Sequence, residues 1–117
     1  MLKQRDIVLI PIPFTDLTSH KKRPAIILSS DTYNKSNEDI VVAAVTSNVE
    51  SCPFSIMLTG DDLESGVLKV TSIIRADKIY TLNKSIVIKT FGRVKYDIFS
   101  KLKSEIYKLI EIPGKKI

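Results

Sequence analysis

The chain has 117 residues, of which 44% are hydrophobic and 26% charged, and its formal net charge is +5. These values indicate one globular domain over 1–117, and the positive charge favours an anionic partner, either nucleic acid or an acidic protein. A single cysteine excludes an internal disulfide, and apolar runs such as 40–45 are too short to span a bilayer. We therefore expect a cytoplasmic protein with no signal peptide and no membrane contact.

The first half of the chain predicts three buried strands, at 6–12, 25–28 and 40–46. A polar loop follows the first strand and contains the single histidine, His20, and a cluster of basic residues. A second polar stretch, 30–39, is expected to be a loop with at most one helical turn. The third strand ends in Thr46 and Ser47, and polar residues at the end of a buried strand are a common place for a binding site.

The second half predicts a half-buried strand at 54–59, one or two strands within 67–79 and another at 86–91, after which Gly92 bends the chain. Between them, 61–64 is acidic and is expected to form a short helical turn. Its acids, Asp61, Asp62 and Glu64, match no calcium-loop spacing and are typical of turns and helix starts, so we expect no metal there.

The predicted helix covers about 97–111, where apolar residues recur every three or four positions and form one stripe for core or dimer packing. One helix packed on several short strands predicts a mainly β (α+β) fold. We expect a small β-barrel of five to seven strands with a C-terminal helix and short helical turns.

Arg75 and Asp77 are two residues apart on a predicted strand and should therefore leave the same face. Such a pair is found both in ordinary surface salt bridges and in sites that handle a phosphodiester. Cleavage of RNA by its own 2′-hydroxyl needs a proton acceptor, a proton donor and positive charge on the non-bridging oxygens. Arg75 and Arg23 could supply that charge, since the planar guanidinium meets two oxygens at once. From these residues alone, surface roles remain the commoner interpretation.

Several segments resemble the MazF/PemK-like toxins of bacterial and archaeal toxin–antitoxin modules. They are Asp-Ile-Val-Leu-Ile-Pro-Ile-Pro-Phe-Thr-Asp-Leu at 6–17, Arg-Pro-Ala at 23–25, Val-Val-Ala-Ala-Val-Thr-Ser at 41–47 and Ser-Ile-Ile-Arg-Ala-Asp-Lys-Ile at 72–79. Thr-Leu at 81–82, Gly-Arg-Val at 92–94 and the closing helix extend the likeness over nearly the whole chain.

The resemblance implies an SH3-like barrel that forms a homodimer and acts as a metal-independent, sequence-specific endoribonuclease on single-stranded RNA, without a cofactor. It also implies a cognate antitoxin whose acidic, disordered tail covers the RNA site, with operator DNA contacted only through that antitoxin. The family's catalytic positions correspond to Arg23, Thr46, Arg75 and Asp77. The residues expected to contact RNA are Asp16, His20, Lys21, Lys22, Ser47, Ser72 and Tyr80.

Three positions depart from the family pattern: Arg5 stands where glycine is usual, Tyr80 where arginine is usual, and Asn83 where aspartate is frequent. With tyrosine in place of arginine at position 80, the expected RNA-binding groove has one cation fewer, but the tyrosine ring can still stack on a base. Arginine is a poor proton carrier, and a neighbouring cation lowers the pKa of Asp77. We therefore expect Arg75 and Arg23 to stabilise charge, with Asp77 orienting Arg75 or accepting the 2′-proton.

Two alternatives remain open at this point. One is a non-enzymatic toxin of the same fold that acts by binding a protein, which would not need the four catalytic positions. The other is a nucleic-acid-binding barrel, which would be expected to expose aromatic side chains among lysines.

Overall fold

Seven antiparallel strands form one curled, half-barrel sheet in the computed structural model, which describes residues 1–11, 22–50 and 52–114. The strand order is β4-β6-β3-β2-β1-β7-β5. The strands are β1 Asp6–Ile10, β2 Arg23–Ile27, β3 Asp39–Thr46, β4 Ser55–Leu58, β5 Leu63–Gly66, β6 Ser72–Asn83 and β7 Lys89–Val94. The helices are α1 Asp31–Ser36 and α2 Tyr96–Ile110, and 3-10 turns cover Gly60–Asp62 and Lys84–Ile86. The predicted mainly β fold with a C-terminal helix is confirmed.

Both faces of the sheet bury apolar side chains, which explains why the first three strands are apolar without alternation. One face, here called the helix face, is covered by α2 through Ile98, Phe99 and Leu102. The opposite face has its own cluster. The strand residues of the helix-face core include Ile7, Ile26, Ala43, Val45 and Ile74, and those of the opposite face are Val8, Ile10, Ala25, Ile27, Ile40 and Val42.

Helix α2 confirms the predicted apolar stripe over its first three turns. Ile98, Phe99 and Leu102 are buried and Ile106 is half-buried, whereas Ile110 at the last turn is 71% exposed. In the described part of the chain no helix is both long enough and apolar enough to cross a membrane.

Two strand predictions in the second half are wrong in position. The stretch 67–70 is not a strand, because β5 already pairs with β7 up to Gly66 and β6 begins only at Ser72. Ile86 is not in a strand either, because the Asn83 side chain accepts a hydrogen bond from the Ser85 amide and starts a 3-10 turn.

Two further segments contain more regular structure than the sequence predicts. The acidic turn is confirmed at Gly60–Asp62, but Leu63–Gly66 continues as a strand because Leu63 is buried opposite Val94. Asp31–Ser36 forms a helix, begun by Ser30, whose hydroxyl accepts a hydrogen bond from the Tyr33 amide.

Candidate functional site

Arg23 and Thr46 reach the same rim of the sheet because of the β2–β3 register. Ala25 pairs with Ala44, and Arg23 and Thr46 each lie two residues further toward that rim. Thr46 in turn pairs with Ile73 on β6, two residues before Arg75. Since side chains alternate along strands, Arg23, Thr46 and Arg75 belong to the face opposite α2.

Arg75 and Asp77 form a two-point ion pair on β6. The guanidinium Nε and Nη2 donate to the Asp77 carboxylate oxygens at 2.8 and 2.7 Å, which confirms that the two side chains lie together. The register shifts here, because Ala43 pairs with Ile79 but the next residue, Ala44, pairs with Arg75. The pair therefore sits at a β-bulge, a feature that re-aims side chains.

The bulge is fixed from the other side of β6. Ala76, between the two charged residues, is fully buried, and its amide donates to the Phe54 carbonyl at 2.9 Å. A buried alanine between two charged residues leaves Arg75 and Asp77 on the accessible surface. Their side chains are 28% and 30% exposed.

The ion pair keeps both groups charged. The hydrogen bond from Arg75 lowers the pKa of Asp77 from its ordinary value of 3.8, against a smaller opposing effect of burial. The hydrogen bond to Asp77 raises the pKa of Arg75, and burial opposes this effect. The charge of Asp77 adds a smaller increase, as do electrostatic interactions with Cys52 and Tyr80. A carboxylate with a lowered pKa is a weak base, and one that accepts two hydrogen bonds from a single guanidinium fixes the position of that guanidinium. Asp77 therefore suits an orienting role better than proton transfer.

A cavity of about 700 Å³ lies at the same rim and collects five of the predicted site residues. Two further cations, Lys69 and Lys89, line it and were not predicted. None of the described residues that line it is acidic. The predicted residues are Lys22, Arg23, Thr46, Ser47 and Ser72, and the apolar part of the wall includes Leu9, Pro24, Val45, Leu68 and Phe91. A cationic rim around an apolar floor fits a nucleotide, which has a charged phosphate and a flat base.

The hydroxyl groups at this rim have distinct surroundings. Thr46 is half-buried and its Oγ1 accepts a hydrogen bond from the Asn48 amide at 3.1 Å, so the hydroxyl keeps its own hydrogen for donation. Ser47 is exposed. Ser72 is 5% exposed and donates to the Val70 carbonyl at 2.9 Å, which holds the chain at the start of β6.

Other predicted residues lie beside the cavity or outside the described ranges. Arg75, Asp77 and Tyr80 do not line it, and Arg75 is two residues, about 7 Å, along β6 from the partner of Thr46. Tyr80 is half-buried and packs against the apolar cluster of the opposite face. Asp16, His20 and Lys21 fall outside the residues that the structure describes.

The acidic segment 61–64 has structural partners. Asp62 accepts hydrogen bonds from the Thr59 amide and hydroxyl at 2.7 and 3.2 Å, and Glu64 pairs with Arg5 at 3.3 Å. Within 1–11, 22–50 and 52–114, no three His, Cys, Asp or Glu side chains come together as a metal site would require.

Lys69 and Lys89 are the two cavity-lining cations that sequence reasoning missed. Lys69 falls in the stretch expected to be a strand, and Lys89 reaches the cavity only through the pairing of β7 with β1. Had 67–70 been predicted as a connection between strands, an exposed lysine there would have been a candidate for anion binding.

Solved structures with the same fold share little sequence with this chain. One, described as an endoribonuclease in complex with its cognate antitoxin from Mycobacterial species, is 19% identical over 98% of this chain and 100% of that chain, with a TM-score of 0.78. A MazE-MazF structure from Deinococcus radiodurans is 21% identical over 93% and 95% of the two chains, with a TM-score of 0.76. The Mycobacterium tuberculosis toxin MazF-mt6 is 18% identical over 89% and 94%, with a TM-score of 0.72.

Family membership rests on the sequence itself. No curated protein matches the chain in sequence. The sequence profile of one family, described as PemK-like, MazF-like toxin of type II toxin-antitoxin system, matches residues 3–110. The chain belongs to this family of toxins.

Proposed function

We propose that this chain is a sequence-specific, metal-independent endoribonuclease that cleaves single-stranded RNA and is the toxin of a toxin–antitoxin module. The observation that carries the proposal is a cavity with four cationic and no acidic side chains among its described lining residues, next to the Arg75–Asp77 ion pair. Membership in the toxin family and the endoribonuclease named among the structural relatives support it. One toxin domain over 1–117 is part of the same proposal.

The proposed reaction is attack of an RNA 2′-hydroxyl on the adjacent phosphorus. A bond forms between O2′ and phosphorus and the bond to the 5′-oxygen breaks. The 2′-proton passes to solvent water, and the 5′-oxygen takes a proton from solvent water. The products are a 2′,3′-cyclic phosphate and a 5′-hydroxyl. Negative charge grows on the non-bridging oxygens, and fixed donors directed at it lower the barrier most.

In this reaction Arg75 and Arg23 stabilise the developing charge. Asp77 occupies Nε and one terminal nitrogen of Arg75, which leaves the other terminal nitrogen, Nη1, directed away from the pair for a phosphate oxygen. Thr46 and Ser47 donate hydroxyl hydrogens to the substrate, and Lys22 contacts the RNA backbone. Asp77 orients Arg75 and does not accept the 2′-proton, because its lowered pKa makes it a weak base.

The same surface is suited to a cognate antitoxin. An acidic, disordered tail would be attracted to the cavity cations and would exclude RNA from them. One structural relative is described in complex with its cognate antitoxin. A homodimer, a location in the cytoplasm and contact with operator DNA only through the antitoxin complete the proposal.

The test is to incubate the purified chain with a long single-stranded RNA, with and without EDTA, and to map the new ends. We expect cuts at a short recurring sequence, 5′-hydroxyl ends and equal rates with EDTA. Arg75→Ala should cut about 100-fold more slowly, while Lys101→Ala, an exposed lysine on α2, should match the parent. Intact RNA would favour a protein-binding toxin, and RNA bound without cleavage would favour a nucleic-acid-binding barrel.

A further inference from the structure

The connection between β5 and β6, residues 67–71, forms one wall of the cavity and exposes apolar side chains there. Val67 and Val70 line the cavity and are 71% and 58% exposed. Lys69 lies between them and is exposed, while Leu68 packs on the helix-face core. Two exposed β-branched side chains flanking a lysine give this wall apolar contact area and one positive charge.

Both ends of this connection are held in place. Gly66 has φ +88, and a Cβ there would lie 2.2 Å from the Phe91 carbonyl oxygen, so the chain leaves β5 in tight contact with β7. At the other end, buried Ser72 donates to the Val70 carbonyl at 2.9 Å. A segment fixed at both ends loses little conformational entropy when a ligand binds.

The rest of the rim carries the groups assigned to chemistry. Lys22, Arg23, Thr46 and Ser47 line the cavity from β2, β3 and the residues next to them. The cavity thus combines a polar wall, suited to the phosphodiester, with the largely apolar 67–70 wall. Apolar side chains contact base faces and edges, whereas a lone lysine contacts phosphate.

We propose that residues 67–70 are the specificity-determining wall of the site, an inference that rests on the proposed ribonuclease function. Val67 and Val70 contact unpaired bases next to the scissile bond and select them by shape. Lys69 binds a backbone phosphate and adds affinity without sequence preference.

The test separates selection of bases from affinity and from chemistry. Cut sites on a long RNA are mapped for the parent, Val67→Ala, Val70→Ala and the conservative Val67→Ile and Val70→Ile. We expect the alanine variants to relax the preferred base at one or more positions beside the cut, and the isoleucine variants to retain a preference. Ile110→Ala, 71% exposed on α2, is the matched control and should keep the parental sites.

Lys69→Ala is compared with Lys101→Ala on one short RNA substrate. We expect Lys69→Ala to raise KM about tenfold, with kcat within about twofold of the parent. The slope of log affinity against log salt concentration should decrease by about one, as expected for the loss of one phosphate contact. Thermal unfolding of each variant should match the parent, because all these side chains are exposed.

The outcomes distinguish the two proposals. If the parent cuts RNA but the alanine variants keep its sites and Lys69→Ala behaves like Lys101→Ala, the proposed specificity-determining wall is wrong and the ribonuclease proposal stands. If the parent leaves RNA intact, the ribonuclease proposal and the proposed specificity-determining wall both fail.

Discussion

The guanidinium of Arg75 donates from Nε and Nη2 to the two carboxylate oxygens of Asp77, at 2.8 and 2.7 Å. This geometry fixes the plane of the guanidinium and hence the direction of its remaining N–H groups. Both side chains are about 30% exposed, and accessible ion pairs contribute only roughly 0–1 kcal/mol to stability. The pair therefore serves orientation more than folding.

Substitutions in the pair should separate its charge from its orientation. Arg75→Ala should lower kcat about 100-fold, and Arg75→Lys, which keeps the charge but loses the planar fork, should recover only part of that loss. Asp77→Asn keeps the shape but weakens the ion pair, so we expect a smaller loss, about tenfold in kcat. Single-turnover cleavage of one RNA measures all three, and urea unfolding should differ from the parent by no more than about 1 kcal/mol. Parental rates for Arg75→Ala would remove Arg75 from the mechanism.

The pH dependence of cleavage tests whether Asp77 carries a proton. Arg75 lowers the pKa of Asp77 from its ordinary value of 3.8, so Asp77 is ionised from about pH 5 to 8. The stabilisation from the pair is fully present above pH 3.8 and is lost only as the pH falls through the lower, folded-state pKa. We therefore expect the ratio of the parent rate to the Asp77→Asn rate to be constant from about pH 5 to 8. An inflection in the parent profile that Asp77→Asn abolishes would identify Asp77 as the proton acceptor.

Arg5 combines an unfavourable backbone conformation with favourable side-chain contacts. It has φ 77, a backbone conformation that favours glycine. Its Nη1 donates to the Val94 carbonyl at 2.7 Å, and its guanidinium lies 3.8 Å from the centre of the Tyr96 ring. Arg5→Ala should lower the free energy of unfolding by about 2–3 kcal/mol, since it loses these contacts and keeps the strain.

Arg5→Gly is the matched variant, because it loses the same contacts but accepts the positive φ. It should be about 1 kcal/mol more stable than Arg5→Ala in urea unfolding. An alanine variant as stable as the glycine variant would show that φ at this position costs nothing.

Local sequence patterns predict much of the fold but not its register. The stripe on α2 follows from its helical period, and the buried strands β1, β2 and β3 follow from short, continuous apolar runs. The stretch 67–70 contains two β-branched residues, a composition that predicts a strand. It is a connection instead, because the long-range pairing of β5 with β7 fixes where the chain can turn.

The candidate site shows the same division between local and long-range information. The sequence predicts that the side chains of Arg75 and Asp77 lie together, because residues two apart on a strand point to the same face. A bulge nevertheless sets their final geometry. The closeness of Arg23 and Thr46 depends on the β2–β3 register, so only the family resemblance could predict it. Lys89 reaches the cavity through the pairing of β1 with β7, and no local sequence pattern predicts that pairing.

Gly66 connects the fold to the cavity, and Gly66→Ala should disturb both. Its φ is +88 and a Cβ would stand 2.2 Å from the Phe91 carbonyl oxygen and 2.5 Å from the Gly92 Cα, both of them backbone atoms. We expect a loss of about 3 kcal/mol in urea unfolding and a lower cleavage rate, because β5 must shift and carry residues 67–70 with it. Gly114→Ala, with φ +73 but no atom within 4 Å, should lose about 1 kcal/mol and cleave normally. Equal losses in the two variants would mean that backbone conformation alone, and not contact with β7, requires glycine at position 66.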